Sequence, residues 1–435
     1  MYIKEIKIEN IRSIEKLEMS FDKCPGWHIV IGDNGSGKSS FIKSVALNLV
    51  GPDELLGLRQ DWKDWMRKNS KQAEINLTVQ GNPDFDRKTN KGKSPKDDFL
   101  ITSIIQFKQN NEKINVTNNR DSKTDGKYTP SYYHWGRSDG WFSVAYGPFR
   151  RFTGGDKDMD KLFVNSSYSK LAAHLTAFGE NIALSESIEW FKMLRYKQLE
   201  NDPEGNVIDK IKDFINNSQF LPHKTILETI SSDGVFFKDG SGSVITVTEL
   251  SDGYRSILSM TFEIIRQLIR VYGSEKVFKN IENGTIDLPG IVLIDEIDAH
   301  LHPTWQKSIG IWFTKFFPKL QFIVTTHSPL VCRAVENGGS IWRLPAPGTN
   351  QNLYKVTDTE LNVLIFGNIL DAYSTEMFGK DVLRSDSANI KMQRLAKLNM
   401  KKIKNLISVD EESELHQLRL IFPSNSNILD NATNS

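Results

Sequence analysis

The chain has 435 residues, a formal net charge of +1 at pH 7 and only two cysteines, Cys24 and Cys332. This length allows two or three domains of average size, or one large head with insertions, and the balanced charge argues against a uniformly basic nucleic-acid coat. The cysteines form no C-x-x-C pair, which excludes a zinc hook and disfavours a disulfide framework. The chain begins directly in a strand pattern and contains no run of about 18 apolar residues. We therefore expect a soluble cytoplasmic protein that has no contact with membranes.

Two strands are predicted at the N-terminus, before residue 22. Apolar residues alternate roughly with charged ones, which is the pattern of half-buried strands. Asn10-Ile11-Arg12 continues the first strand. The apolar positions are Ile3, Ile6 and Ile8 in the first strand and Leu17, Met19 and Phe21 in the second.

A glycine-rich loop follows the apolar run 27–31 and opens into the helical run 41–50. It matches G-x-x-x-x-G-K-[ST] in the required order of strand, loop and helix, which disfavours a turn that only caps a helix. The glycines let backbone N–H groups surround phosphate oxygens, Lys38 adds a full positive charge, and Ser39 offers its hydroxyl to Mg²⁺. We predict ATP and Mg²⁺ as cofactors. The predicted cofactor-binding residues here are Asn34, Gly35, Ser36, Gly37, Lys38, Ser39 and Ser40.

The segment between this loop and residue 220 combines strands, loops and short helices. Residues 73–80 and 99–107 are predicted strands of a β-subdomain, and the mixed-charge stretches 82–98 and 108–130 are predicted solvated loops. Trp62 and Trp65 lie three residues apart, as on one helix face, and we expect them in a core. Residues 157–220 show a helical pattern that glycine and proline interrupt, without the heptads of a coiled-coil arm.

A second helix N-terminus is predicted after residue 250. A β-hairpin signal over 235–247 leads into Leu250-Ser251-Asp252-Gly253, and an apolar pattern of helical period follows. In this position, the Ser251 hydroxyl and the Gly253 N–H can face a phosphate. Ser-Asp-Gly also occurs at 138–140 and 232–234 without a following helix, so only the copy at 251–253 has the context.

Two adjacent carboxylates end the apolar strand 291–294. Asp295 would orient a Mg²⁺ ligand or water, and Glu296 would act as the general base on the attacking water. Adjacent residues on a strand point to opposite sides, so the two side chains cannot have the same role.

A second apolar strand, 321–326, ends in a histidine. His327 is predicted to hydrogen-bond the γ-phosphate or the lytic water. Between the two strands, His300 and His302 form a His-x-His pair, but no further ligand cluster lies nearby in the sequence, which disfavours a structural metal.

The four motifs occur in the order P-loop, Leu-Ser-x-Gly, Asp-Glu and Thr-Thr-His-Ser-Pro, and cover roughly residues 1–345. In this order they resemble the ABC-type ATPase head of RecF-, SMC- and OLD-like proteins. The resemblance implies an α/β P-loop fold with a β-subdomain and an inserted helical lobe. It also implies a homodimer that sandwiches ATP, with Ser251 and Gly253 acting on the nucleotide of the other subunit. The Asn-x-Arg at the N-terminus resembles the same heads and implies that Arg12 lies near the nucleotide.

One feature departs from standard ABC heads. Those heads place a magnesium-sensing glutamine near the end of a strand that corresponds to 141–146, and no such glutamine is evident here. The sequence Tyr146-Gly147-Pro148-Phe149-Arg150 instead resembles what many prokaryotic SMC-like ATPases carry at this place.

We predict four segments. They are an N-terminal ATPase lobe with the P-loop and β-subdomain (1–156), a helical insertion (157–220), a C-terminal ATPase lobe (221–345) and a basic helical tail (346–435) with a disordered end from 424. The tail begins with an N-cap signature at Thr357. Its basic residues include Arg384, Lys391, Arg394, Lys397, Lys401, Lys402 and Lys404.

No nuclease site is evident in the sequence, because the tail lacks the acidic pattern of a Toprim domain and the chain lacks an HNH-like His/Asn constellation. An ATPase head with a short helical tail resembles the ATPase subunits of Septu and retron-associated anti-phage systems, which implies an HNH nuclease as partner. Three functions stay open: regulation of such a nuclease, a RecF-like ATP-dependent DNA clamp for repair, and a regulatory module that binds ATP and protein but no DNA. The basic tail is either a solvated helix face or a docking surface for an acidic partner or DNA.

Overall fold

The computed structural model describes residues 1–58, 62–89, 95–110, 113–118, 128–136, 140–149, 169–179, 186–217, 221, 225–231, 234–247, 249–349, 352–368, 372, 386–404 and 406–422. The Arg150-Arg151 pair, Arg384 and the end of the tail from 424 lie outside these ranges. The chain divides into two compact units, Met1–Ile369 and Leu370–Ser435.

The strands within the described ranges are β1 (Tyr2–Ile11), β2 (Ile14–Ser20), β3 (Gly26–Ile31), β4 (Gln72–Gly81), β5 (Phe99–Asn110), β6 (Lys113–Asn118), β7 (Ser143–Tyr146), β8 (Ile226–Ser231), β9 (Gly234–Lys238), β10 (Val244–Thr246), β11 (Gly290–Ile294), β12 (Leu320–Thr325), β13 (Gly339–Arg343) and β14 (Tyr354–Lys355).

The α-helices there are α1 (Lys38–Val50), α2 (Pro52–Leu55), α3 (Ser169–His174), α4 (Glu186–Leu199), α5 (Val207–Asn217), α6 (Asp252–Tyr272), α7 (Ser274–Val277), α8 (Pro303–Phe316), α9 (Pro329–Cys332), α10 (Asp358–Phe366), α11 (Asp386–Ile403) and α12 (Val409–Ile421). None of them combines the length and hydropathy that crossing a bilayer requires.

The central sheet of the first unit has six strands in the order β14-β13-β3-β12-β11-β7. All neighbouring pairs are parallel except β13 and β14. Every residue of β11 and β12 is buried, as expected for parallel strands covered on both faces. The strand that leads into the P-loop, β3, therefore has β12 and β11 on one side and β13 on the other. This order confirms the predicted α/β fold with a parallel sheet.

A second sheet covers the other face of α1. It is antiparallel with the strand order β2-β1-β4-β5-β6, and α1 lies between it and the central sheet. The Asn48 amide on α1 donates to the carbonyl oxygens of Ile75 and Ser103, at 2.9 and 3.0 Å. These buried bonds fix the P-loop helix to the second sheet, because an unpaired buried amide would be costly.

The second sheet extends further than the sequence analysis predicted. Residues 108–130 were expected to be a loop, but β5 continues to Asn110 and β6 pairs with it. Trp65 is buried, as predicted, and its ring stacks on Phe107 at a centroid distance of 6.3 Å. It lies in a short 3-10 turn rather than on an α-helix. The predicted hairpin over 235–247 is confirmed as β9 and β10.

The first unit also ends later than the predicted ATPase lobe. Beyond residue 345, β14 pairs with β13, and Val356 N–H donates to Ile341 O at 2.8 Å. Val356 and Leu364 are each 1% exposed. Residues 346–369 thus belong to the first unit rather than to a separate tail.

The second unit contains a helical hairpin of α11 and α12. A capping box at Ser408 and Glu411 starts α12. The buried core of the hairpin is small and consists of Leu395, Leu398, Leu415 and Leu418.

Candidate nucleotide site

The P-loop connects the end of β3 to the start of α1. Gly35 and Gly37 have φ angles of 80° and 100°, a region that favours glycine, so these positions let the loop curl. The Lys38 ammonium donates to the carbonyl oxygens of Gly32 and Asp33, at 2.7 and 3.0 Å. The lysine therefore lies folded across the mouth of the loop, the place where phosphate oxygens bind in such loops.

Asp295 and Glu296 follow β11 directly, and one hydroxyl contacts both residues. The Thr325 hydroxyl donates to Asp295 Oδ1 at 2.6 Å and accepts from Glu296 N–H at 2.8 Å. Asp295 is 2% exposed and Thr325 is fully buried. Glu296 has a φ of 47°, an uncommon value for a residue with a side chain. Sequence reasoning did not identify Thr325 as a contributor to the site.

A second threonine and Asp298 position the histidine loop. Asp298 Oδ1 accepts from Thr326 Oγ1 at 2.6 Å and from His327 N–H at 3.2 Å. The loop that carries His327 is thereby fixed to the segment that follows Glu296. Sequence reasoning assigned no role to Asp298 or Thr326.

Lys38, His327 and the acidic residues act on one another electrostatically. Burial lowers the pKa of Lys38, while the charges of Glu296, Asp295, Asp33 and Asp298 oppose this shift. Burial also lowers the pKa of His327, and the charge of Lys38 lowers it further. Both effects favour the neutral imidazole, which can serve as donor or acceptor. These mutual effects indicate that the groups meet at one edge of the central sheet.

Ser251 and Gly253 lie at the start of α6. Ser251 is the N-cap residue and is exposed. A Cβ added to Gly253 would lie 3.1 Å from the carbonyl oxygen of His300. The structure thus brings the Leu-Ser-x-Gly segment next to the segment that follows Glu296.

Arg12 contacts the short turn that contains Asp64 and Trp65. Its guanidinium sits 4.5 Å from the centre of the Trp65 ring, and its Nε donates to Asp64 O at 3.3 Å. Burial lowers its pKa. The predicted role of Arg12 at the nucleotide stays a prediction.

Two further sequence features have structural explanations. Tyr146 ends β7, the strand near whose end the sequence analysis found no glutamine. It is buried, and its carbonyl oxygen accepts from Asp295 N–H at 2.8 Å. His302 caps α8 by accepting from Thr304 N–H at 3.4 Å. No group of three or more metal-binding residues occurs within the described ranges.

A known protein family matches most of the chain. A family described as "AAA domain, putative AbiEii toxin, Type IV TA system" matches residues 28–333, which is well over half of the chain. The chain belongs to this AAA-domain family. It is therefore a P-loop ATPase, and its P-loop is a nucleotide-binding site.

Three curated relatives share about a quarter of their residues with this AAA-domain chain. Septu protein PtuA of Bacillus mycoides is 25% identical over 78% of this chain, which spans only 40% of that protein. A retron Ec83 probable ATPase of Escherichia coli is 24% identical over 79% of this chain and 71% of the relative. Septu protein PtuA of Bacillus thuringiensis is 23% identical over 95% of this chain and 91% of the relative.

Solved structures of SMC heads are among those that are similar in part. It is the SMC head bound to the C-terminal winged-helix domain of ScpA, with a TM-score of 0.46 and 17% identity over 82% of this chain and 98% of that chain.

The oxygen donors at the site fit a magnesium ion. A serine hydroxyl from the P-loop helix, Ser39, and one buried carboxylate, Asp295, are the hard ligands that Mg²⁺ prefers, with phosphate oxygens completing the shell. A dedicated cage of several protein carboxylates is not required for an ion bound in this way.

Proposed function

We propose that the chain binds Mg-ATP and hydrolyses it slowly as a homodimer. The observation that carries the proposal is the arrangement of Lys38, Asp295, Glu296 and His327 at one edge of the central sheet, with Thr325 bonded to both carboxylate residues. This combination supplies a phosphate site, a metal ligand, a base and a polar sensor together.

Each residue has a distinct role in the proposed reaction. Backbone N–H groups of residues 34–40 and the Lys38 ammonium hold the phosphates in line. Ser39 and Asp295 would hold Mg²⁺, which neutralises charge on the phosphate oxygens when bound. Glu296 takes the proton from the attacking water, and neutral His327 hydrogen-bonds the γ-phosphate or that water.

A second copy completes the site in this proposal. Ser251 is exposed at a helix N-terminus, and Gly253 lies beside His300, so the segment after Glu296 and the Leu-Ser-x-Gly segment form one continuous surface. Two such surfaces facing each other would place Ser251 and Gly253 over the γ-phosphate bound by the other subunit. ATP would then hold the dimer together.

The variant Glu296→Gln tests the base. It should retain ATP binding and ATP-dependent dimer formation while losing hydrolysis, because the amide cannot accept the proton. Steady-state phosphate release and nucleotide titration would measure the two properties. Glu282→Gln, at an exposed turn, is the matched control and should behave like wild type. Normal turnover in Glu296→Gln would remove Glu296 from the base role.

We further propose that the ATPase is a subunit of a prokaryotic anti-phage defence complex and acts as a nucleotide-dependent regulator of an HNH nuclease. The support is the similarity to proteins named Septu PtuA, one of them over 91% of its length. Co-purification from cells that also express the neighbouring genes tests this. Capture of an HNH protein that responds to ATP is the expected result, whereas ATP-dependent binding of duplex DNA without any partner would favour the RecF-like clamp.

A further inference from the structure

A cavity of about 220 Å³ opens between the second sheet and the N-terminal ends of two central strands. Tyr2 on β1 and Gln80 on β4 line it, together with Pro289, which precedes β11, and Lys319, which precedes β12. Asp295 follows the other end of β11. The length of that strand therefore separates the cavity from the catalytic edge, and a ligand bound here would be independent of the proposed ATPase reaction.

Two carboxylates line the cavity. Asp98 accepts from Gln80 Nε2 at 2.6 Å and from Asn82 Nδ2 at 2.9 Å, so a neutral amide holds each of its oxygens. Asp287 Oδ2 accepts from Asn280 Nδ2 at 2.7 Å, whereas Asp287 Oδ1 is buried and has no hydrogen-bond partner among the described residues. Because a buried carboxylate oxygen without a partner is unfavourable, a cation beside it would be stabilised.

Two aromatic rings form much of the remaining lining. The Phe85 ring lies edge-on to the Tyr272 ring at a centroid distance of 6.1 Å, and the Tyr2 hydroxyl donates to Lys319 O at 2.9 Å. These contacts hold both rings in place before any ligand binds. Burial raises the pKa of the Tyr2 phenol, and negative charges that include Asp98 raise it further. The wall of the cavity is thus apolar, uncharged at Tyr2 and close to negative charge.

This lining suits a flat organic cation better than a metal ion. Hard cations such as Mg²⁺ and Ca²⁺ need a shell of several oxygen ligands, and no group of three or more metal-binding residues occurs in the part of the chain that the structure describes. A guanidinium is planar, donates to carboxylates and stacks on aromatic faces. The cavity is smaller than the roughly 300 Å³ at which sites for drug-sized ligands begin, so it suits a short alkyl chain.

The charge of the lining indicates a singly charged ligand. Among the described residues it contains two acidic side chains, Asp98 and Asp287, and one basic side chain, Lys319, which leaves a net charge of −1. Lys319 is exposed, so its ammonium can remain in water while the cavity is occupied.

We propose that this cavity binds an alkylguanidinium cation, with the guanidinium beside Asp98 and Asp287 and against the rings of Tyr2 and Phe85. Such a group occurs both in free small molecules and in the arginine side chain of a protein partner.

Calorimetric titration with n-butylguanidinium tests the site. Wild type should bind it saturably with a dissociation constant of about 1 mM or below, a range open to so small a ligand. n-Butylurea has nearly the same shape without the charge and should bind about tenfold more weakly or less well still. Asp287→Asn should weaken binding of n-butylguanidinium by a similar factor. Asp84→Asn removes the same charge from an exposed residue outside the lining and is the matched control.

Three results would each overturn the assignment: no binding of n-butylguanidinium to wild type, equal binding of n-butylurea, or wild-type affinity in folded Asp287→Asn. Should Asp287→Asn not fold, Phe85→Leu replaces it, because loss of the ring should also weaken binding, and unchanged affinity would overturn the assignment. The peptide acetyl-Gly-Arg-Gly-amide then separates the two sources. Affinity like that of n-butylguanidinium supports an arginine of a protein partner, and exclusion of the peptide supports a free small molecule.

Discussion

At the residue scale, one threonine hydroxyl contacts both the proposed metal ligand and the proposed base. Thr325 Oγ1 lies 2.6 Å from Asp295 Oδ1 and 2.8 Å from the backbone nitrogen of Glu296. It thus fixes the side chain of the proposed metal ligand and the backbone of the proposed base. Glu296 needs such support, because its φ of 47° is a strained conformation for a residue with a Cβ.

Removing this hydroxyl should weaken catalysis without removing the nucleotide. Thr325→Val keeps the shape of the side chain, and we expect ATPase turnover to fall by about 10- to 100-fold, as for other residues that orient metal ligands. The Mg²⁺ dependence of turnover should shift to higher concentration, and Thr325→Ser should restore it.

Thr314→Val is the matched control, since it removes a hydroxyl that bonds only backbone oxygens of α8. Wild-type turnover and Mg²⁺ dependence in Thr325→Val would show that the two hydrogen bonds do not matter for catalysis.

Sequence and structure differ in what they can identify at this scale. Lys38, Asp295 and Glu296 were predicted because their chemical types and spacings follow from phosphate and magnesium binding. Thr325 was not predicted, because a threonine at the end of a strand is common and does not indicate a functional role. Only the register of β11 and β12, in which Ile294 pairs with Val324, places the next residues of the two strands side by side.

At the scale of elements, the tail helix is less basic than its sequence indicates. Lys401 pairs with Glu411 at 2.5 Å, Lys402 with Glu412 at 3.1 Å, and Arg394 with Glu414. The acidic first turn of α12 thus offsets much of the charge on α11. Exposed pairs of this kind add little stability, but they reduce the charge that a distant anion experiences. No ion pair involves Lys397 or Lys404 within the described residues.

The unpaired lysines give a sharper test of docking than the whole basic run. The double variant Lys397→Glu/Lys404→Glu should weaken capture of a nuclease partner or DNA in a salt-dependent way and leave ATP turnover unchanged. Lys401→Glu/Lys402→Glu is the matched control, because it reverses the same number of charges at positions already paired, and its effect should be smaller. If the first variant binds like wild type across a salt series, this helix face is only solvated.

At the scale of the molecule, the end of the first unit differs from the predicted boundary for a physical reason. Residues 345–349 contain two prolines and a glycine, the composition of a linker. The chain nevertheless returns to the central sheet, where β14 pairs with β13. Sequence patterns report local conformation, and a strand of two residues such as β14 is too short to produce a recognisable pattern. The α/β core was predictable because its strands are long apolar runs.

Truncation distinguishes the two boundaries. A chain ending at residue 369 keeps every motif and the buried side chains of Val356 and Leu364, so we expect ATP binding, turnover and the thermal midpoint to stay near those of the full chain. A chain ending at 345 removes both side chains and β14, one of the two strands that pair with β13. Each lost apolar side chain costs about 2–5 kcal/mol, so we expect a much lower midpoint and poor solubility.

Differential scanning fluorimetry with and without ATP measures both chains. Equal stability of the two truncated chains would contradict the assignment of 346–369 to the ATPase unit, and loss of ATP binding in the longer one would show that the second unit contributes to the site.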